Sequence, residues 1–384
     1  MTEADALERQ KASDPALRAL AARVRSVEAE QAGRALWPNP LASVSRESVA
    51  RASDLFVTAR QELPISGRLG HLREAGKLAV EIADARAGFD IRERQAALRR
   101  AFARLLAAQE REALLGQSIA DLHELIVVLR AREEAGEGSR YDRLRGERAL
   151  ADLEDDRAGA GIERTRAQIA LAAFLGPDTS PSSLTAAGAL DASSPLPSLG
   201  ELLERAGAGR PDARAARLDE ERLESERRAA RALRLPTPSV LYGLRRSTAG
   251  TVTDNGYQVS LDVAVPLFDR GRTAVAFAVA EANRAALERA ALRLRIDAEV
   301  REAHAAVALE RDRAARYAQS MAASSEQLTG IARVAYEDGE MGILELLDAR
   351  QQLLAARQRM LDLALSVRLA AIELDRVTGV EVLP

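Results

Sequence analysis

Glu345 and Asp348 come nearest, by type and spacing, to residues equipped for chemistry, being two carboxylates three apart, which a helix sets on one face. What such a pair can do is attract cations. Taken alone, the pair reads as a solvated acidic patch early in a helix, where carboxylates meet the positive end of the helix dipole. Association about a three-fold axis would instead gather copies of it into a cation-attracting ring. Other chemistry has little to stand on. His71, His123 and His304 are far apart in a chain without cysteine, so no metal site and no disulfide are expected. Gly67 and Gly271 fall outside any GxxxxGK[ST] pattern and read as strand-to-helix turns. No Ser-His-Asp, Cys-His or paired-carboxylate arrangement stands at catalytic spacing, so the chain is expected to be no enzyme and to need no cofactor.

The elements that would position the carboxylates come in duplicate. Residues 333–350, RVAYEDGEMGILELLDAR, have a counterpart in residues 130–147, RAREEAGEGSRYDRLRGE. Gly136 matches Gly339 and Gly176 matches Gly379 at one offset, 203 (339 − 136 and 379 − 176). The chain therefore reads as two repeats, residues 1–190 and 191–384, joined near a Pro- and Ser-rich linker at 177–198. In each copy a long helical pattern breaks at a glycine-bearing turn followed by acidic residues, which makes a helical hairpin.

Composition agrees with long helices. Of 384 residues, 29% are charged and 3% aromatic, and the 55 basic and 58 acidic side chains leave a net charge of −3, which gives no reason to expect nucleic acid. No uninterrupted apolar run approaches the roughly 20 residues of a spanning helix, so any membrane crossing must be by strands. The residues after Met1, TEADALERQ, form neither a basic nor an apolar leader region; no signal peptide is expected in this form, and an exported protein would be a processed chain.

In chain order, residues 15–35 read as an amphipathic helix stopped by WPNP at 37–40. Strands are expected near 41–47, which alternates poorly, and 54–63, which alternates well except at Phe56. A helix from Gly67 to about Glu134, on the order of 100 Å at ~1.5 Å per residue, carries Leu98, Phe102 and Leu105 at coiled-coil steps, and a return helix ends at Leu175. The second copy repeats this order. Helices from about Leu199 and Pro211 lead to LPTP at 235–238, strands are expected at 239–246 and 256–265, and a second helix of about 100 Å is expected to end at Gly339. A return helix then carries Leu346, Leu347, Leu353, Leu354 and Leu361 to Gly379. The fold class is thus mainly α with a small β part of four strands per chain. Four strands with one apolar and one polar face cannot close on themselves. Three chains would supply twelve, enough for a closed membrane barrel, with twelve helices as a tube continuing it.

The element order, the duplicated halves, WPNP and LPTP, the strand-to-helix stretches QELPISGR and AVPLFDRGR, and the tip YEDGEMGILELLDAR together resemble the TolC-like outer-membrane efflux proteins. WPNP and PLFDRGR are most similar to the heavy-metal branch, which serves cation exporters of the resistance-nodulation-division type. The resemblance implies a homotrimeric channel in the outer membrane with a large periplasmic part. Its partners would be a periplasmic adaptor (membrane fusion protein), an inner-membrane resistance-nodulation-division pump and outer-membrane lipid. It places Gly136 and Gly339, with Glu137, Ser139, Glu340 and Gly342, at the adaptor contact; Asp142, Glu345 and Asp348 at the narrowest acidic ring; and Tyr336 at a latch of the closed end. Where the best-known members carry an arginine two residues after the second tip glycine, this chain has Met341. A different reading is a soluble coiled-coil scaffold or adaptor binding partner helices, with the strand candidates as loops; the strict alternation of Tyr257, Val259, Leu261, Val263 and Val265 argues against it.

Overall fold

The computed structural model describes residues 1–50, 52–190, 194–268 and 270–382. Asp269, in the PLFDRGR stretch, and residue 191, the expected start of the second repeat, lie outside the described residues. The chain packs as two units. One comprises Met1–Ala19, Phe89–Arg210 and Arg295–Pro384; the other comprises Leu20–Gly88 and Pro211–Leu294.

The second unit holds the sheet. The prolines at 38 and 40 end helix α2 (Pro15–Arg34) and release an extended chain into β1 (Leu41–Val49) and β2 (Ala52–Glu62). Pro238 likewise opens β3 (Pro238–Ala249), which turns into β4 (Val252–Val263). The four strands lie in the order β1-β2-β3-β4, all antiparallel, with registers running Leu41↔Arg60 to Val49↔Ala52, Ala52↔Ala249 to Glu62↔Ser239 and Pro238↔Val263 to Ala249↔Val252. The middle pairing joins a strand from each copy of the repeat. Every strand reaches farther toward its hairpin turn than alternation alone suggests, because backbone pairing continues where the side-chain pattern fades. Below the sheet connections, Leu78, Ile82 and Ala85 of α3 (Arg68–Glu134) pack on Ala215 and Leu218 of α6 (Pro211–Arg231).

The first unit is helical. It takes in the rest of α3, α4 (Arg140–Ala172), α5 (Leu199–Gly209), the later part of α7 (Arg272–Tyr317), α8 (Ala323–Glu337) and α9 (Ile343–Thr378). A short helix α1 (Glu3–Ser13) opens the chain, with Thr2 and Asp5 each accepting the other's backbone N–H in a capping box. Ala6 of α1 joins Leu98, Phe102, Leu105, Leu171 and Leu175 in the core. Beside it Arg99 is buried and bridges Glu3 at 2.5 Å and Asp375 at 2.8 Å, while Arg368 reaches Glu3 at 3.0 Å. Buried charges persist only when paired in this way, and the network fixes α1 against α3 and α9.

The second long helix holds a feature the sequence does not announce: α7 stops at Tyr317, and a π turn at Ala318–Ala322 joins it to α8, which ends at Glu337 just before Gly339. No Gly or Pro lies in AQSMA to signal the break, and the extra residue of a π turn leaves the heptad steps on either side intact.

Candidate functional site

The two hairpin tips are built alike. Gly136 has φ 75° and Gly339 φ 77°, the left-handed conformation that closes a helix C-terminus and that glycine adopts without a Cβ penalty. In the first tip the N–H groups of Glu137 and Gly138 both donate to the Arg132 carbonyl, at 2.9 and 3.0 Å. In the second those of Glu340 and Met341 donate to the Ala335 carbonyl, at 2.9 and 3.1 Å. The residue that starts each return helix is Ser139 in one and Gly342 in the other; the Ser139 hydroxyl accepts the Tyr141 N–H at 3.0 Å, whereas Gly342 has no side chain to cap with.

Gly136, Glu137, Ser139, Gly339, Glu340 and Gly342 are all exposed, and a Cβ at either tip glycine would meet nothing within 4 Å. These six residues thus form two free apices with two matched backbone turns. Beneath the first, Arg143 bridges Glu133 at 2.6 Å and Glu147 at 2.8 Å; these hydrogen bonds raise the arginine pKa, and the one from Arg143 lowers that of Glu147.

Tyr336 is placed inward. It is 8% exposed, packed in a core with Leu122, Leu125, Ile126, Leu129, Ile343 and Leu346, and the Arg132 guanidinium sits 5.4 Å above its ring centre. This cluster clamps the two hairpins together just below their tips.

The three predicted acidic residues occupy related places. Asp142 and Glu345 are each the third residue of a return helix, and they match at the repeat offset (345 − 142 = 203). Both lie where the helix dipole favours negative charge. The Glu345 carboxylate folds back over Gly342, where an added Cβ would lie 2.8 Å from its Oε2. Asp348 lines a cleft of about 610 Å³ between α3, α4, α8 and α9 and accepts a hydrogen bond from Gln352 at 2.7 Å. The cleft mixes signs, with Asp121, Asp152 and Asp348 near Arg145, Arg148 and Arg350. Burial first, and the neighbouring Arg333 as well, lower the Arg350 pKa, and its guanidinium donates to the Asp121 carbonyl at 2.9 Å. Arg145 is the repeat counterpart of Asp348 (348 − 145 = 203), a charge reversal that only the alignment of both copies reveals. Among the described residues no group of three or more His, Cys, Asp or Glu side chains is arranged to hold a metal ion, and His304 instead contacts the Pro197 carbonyl oxygen at 3.3 Å.

The sheet has two unlike faces. One carries Ala42, Val44, Val57, Ala59, Tyr242, Leu244, Tyr257, Val259 and Leu261, and the large ones are exposed, Val44 at 71% and Tyr257 at 78%. The other carries Glu47, Asp54, Thr58, Arg60, Ser239, Arg245, Gln258 and Asp262, with Arg245 bonded to Asp54 at 2.7 Å and Arg60 3.6 Å from Asp262. Phe56, the exception in its strand, lies on this polar face under the Arg245 guanidinium, 5.4 Å from ring centre to charge. Burying even one exposed valine or leucine is worth about 1.5–3 kcal/mol, so an apolar face of this extent is stable only against a nonaqueous neighbour. Tyr242 and Tyr257 share this face near one level, a grouping that depends on the register of β3 with β4 and that the strand sequences do not state.

Residues 202–380 match the family described as outer membrane efflux protein. The chain is 28% identical over 348 residues to the cobalt-zinc-cadmium resistance protein CzcC of Cupriavidus metallidurans, covering 89% of this chain and 81% of that protein. It is 27% identical over 315 residues to the nickel-cobalt-cadmium resistance protein NccC of Alcaligenes xylosoxydans xylosoxydans, covering 79% and 69%. Among solved structures, CusC, described for folding and transmembrane channel formation, superposes with a TM-score of 0.80 at 17% identity over 98% of this chain and 92% of that one.

Proposed function

We propose that this chain, similar to the outer membrane efflux proteins, is the passive, gated exit duct of a tripartite efflux system of the resistance-nodulation-division type, exporting heavy-metal cations. The observation that carries this reading is the two-faced sheet with open edges at β1 and β4. Its strands, 9 to 12 residues long, match the roughly 9–11 residues a tilted strand needs to cross a bilayer. Three chains joined edge to edge close twelve strands, with the apolar face to lipid and the charged face to a water-filled lumen. The helices form the periplasmic part, consistent with no helix among the described residues being long and apolar enough to cross a membrane.

The repeats, residues 1–190 and 191–384, each supply one tip. Gly136 with Glu137 and Ser139, and Gly339 with Glu340 and Gly342, dock the adaptor, and Asp142, Glu345 and Asp348 form the acidic ring of the periplasmic gate. Tyr336, held under Arg132, keeps the two hairpins in the closed arrangement, which adaptor and pump binding shift toward the open one. The relatives that are named for cobalt, zinc, cadmium and nickel resistance support the cation cargo.

The test uses the open space at the tips. Gly136→Phe and Gly339→Phe place a ring where nothing else lies, while Gly→Asn at the same sites tolerates the left-handed backbone and serves as control. Metal resistance in a complemented strain should be lost with Phe and kept with Asn, with equal amounts of detergent-extracted trimer. Full resistance with both Phe variants overturns the docking assignment, and a detergent-free monomer in every case overturns the channel reading.

A further inference from the structure

The apolar face of the sheet is not apolar throughout. Arg46 pairs with Leu55, Leu55 with Arg246 and Arg246 with Asn255, so one cross-sheet row carries two guanidiniums and an amide on that same face. One step nearer the hairpin turns, the next row is Ser48, Ser53, Thr248 and Thr253, all hydroxyls. Arg46 and Arg246 are exposed, and two strand spacings of ~4.8 Å put their backbones about 10 Å apart, within joint reach of one small group.

The two faces treat their arginines differently. Arg60 and Arg245, on the polar face, each have an aspartate, Asp262 and Asp54. On the apolar face no described strand residue is an Asp or Glu, and among the described residues the Arg46 and Arg246 side chains make no hydrogen bond or ion pair. Two uncompensated guanidiniums bordering a hydrocarbon-facing band are costly unless an anion meets them from outside. Both hairpin turns lie at the end of the sheet away from every helix connection, so in the channel reading this row lies in the outer leaflet.

We propose that Arg46 and Arg246 form a clamp for the phosphate of an outer-leaflet lipid headgroup, with Asn255 and the hydroxyl row completing a polar collar that fixes the barrel's depth in the membrane. This rests on the channel reading given above. A planar guanidinium binds phosphate through two parallel N–H bonds, and two arginines across one strand suit a phosphorylated glycolipid better than a zwitterionic one, whose own cation would lie against them. The adjacent Tyr242 and Tyr257 are placed for the interface between acyl chains and headgroups.

The experiment measures binding of bisphosphorylated lipid A and of phosphatidylcholine to the detergent-extracted full chain, with its oligomeric mass recorded alongside. Wild type should prefer lipid A. Arg46→Gln with Arg246→Gln should reduce that preference on the order of twentyfold, as expected for removing two basic residues at an anionic surface. Arg46→Lys with Arg246→Lys, which keeps the charge and loses the fork, should retain an intermediate preference, and Arg60→Gln on the opposite face should leave it unchanged. An unchanged preference in the double Gln variant, in a particle of normal mass and detergent belt, overturns the clamp alone. Displacement of lipid A by inorganic phosphate at equal concentration overturns the lipid as occupant in favour of a free-anion site. A wild-type particle without a detergent belt overturns the channel reading and the clamp with it.

Discussion

The two copies of the repeat reach the same turns with partly different residues, and the differences sort the positions by what physics demands of them. Where the backbone is left-handed at a helix end, both copies use glycine: Gly136 and Gly339 at the tips, Gly176 and Gly379 at the far ends of the return helices, with φ between 71° and 89°. Where a side chain only improves a helix start, the copies diverge, and Ser139 caps while Gly342 does not. The rising helices diverge as well. In the first copy α3 is continuous, whereas the π turn at Ala318–Ala322 interrupts the second. The second copy therefore holds both the interruption and the uncapped helix start, and the first holds neither.

The largest effect expected from this comparison concerns Gly176 and Gly379, alike in φ and unlike in surroundings. A Cβ on Gly176 would lie 2.9 Å from Ser13 Cβ and 3.1 Å from the Ser13 carbonyl oxygen. On Gly379 the nearest atom, at 2.7 Å, is the end of the long Arg92 side chain, which donates to the Gly379 carbonyl, followed by Arg210 Cγ at 3.3 Å. Gly176→Ala should cost about 3 kcal/mol, backbone strain plus a clash that only a shift of α1 relieves, and Gly379→Ala about 1–2 kcal/mol. Thermal unfolding of the detergent-extracted variants ranks them. Equal losses would mean that α1 yields as easily as an arginine side chain, and the contrast between the two ends would vanish.

Much of this contrast is legible in the sequence. The offset of 203 finds the glycines, and a glycine before an acidic helix start signals a left-handed C-terminus because other residues resist it. Period-two alternation finds β4 and, less sharply, β2, since each face meets a different environment. Other features stay hidden for separate reasons. The π turn adds a residue without adding a breaker. Arg99 reads as one more surface arginine until Glu3 and Asp375 are brought to it from the chain ends. Arg46 and Arg246 lie 200 residues apart (246 − 46) and share a row only through the register of β2 with its neighbours. The α1 helix leaves one signal, the Thr2 and Asp5 capping box, and its polar sequence supplies no apolar stripe to reinforce it.

A smaller effect tests the acidic ring through its asymmetry. Glu345 has an acidic counterpart in Asp142, but Asp348 is matched by Arg145, and both line one cleft. If the ring attracts cations, Asp348→Asn should weaken Co²⁺ block of single-channel current about three- to tenfold, and Arg145→Gln should strengthen it by a similar factor, as for about 1 kcal/mol of charge interaction near a water-filled lumen. Block unchanged in both would remove Asp348 from the gate and leave it as a cleft residue paired with Gln352.

The smallest expected effect lies in the hairpin turns of the sheet. Ala50 has φ 52°, the one described non-glycine residue in the left-handed region, and its counterpart at the same point of the other hairpin is Gly250 with φ 63° (250 − 50 = 200). Left-handed alanine costs roughly 1–2 kcal/mol in backbone energy, offset in part because glycine loses more freedom on folding. Ala50→Gly should therefore stabilise by about 0.5 kcal/mol, and Gly250→Ala, with no atom within 4 Å of the added Cβ, should destabilise by about 1 kcal/mol. Ala50 and Gly250 are both exposed, so the pair sets backbone conformation apart from packing. A loss of stability in Ala50→Gly would mean that alanine shapes the first turn for a reason other than its φ, and the first copy would then be specialised at the sheet as well as at the tip.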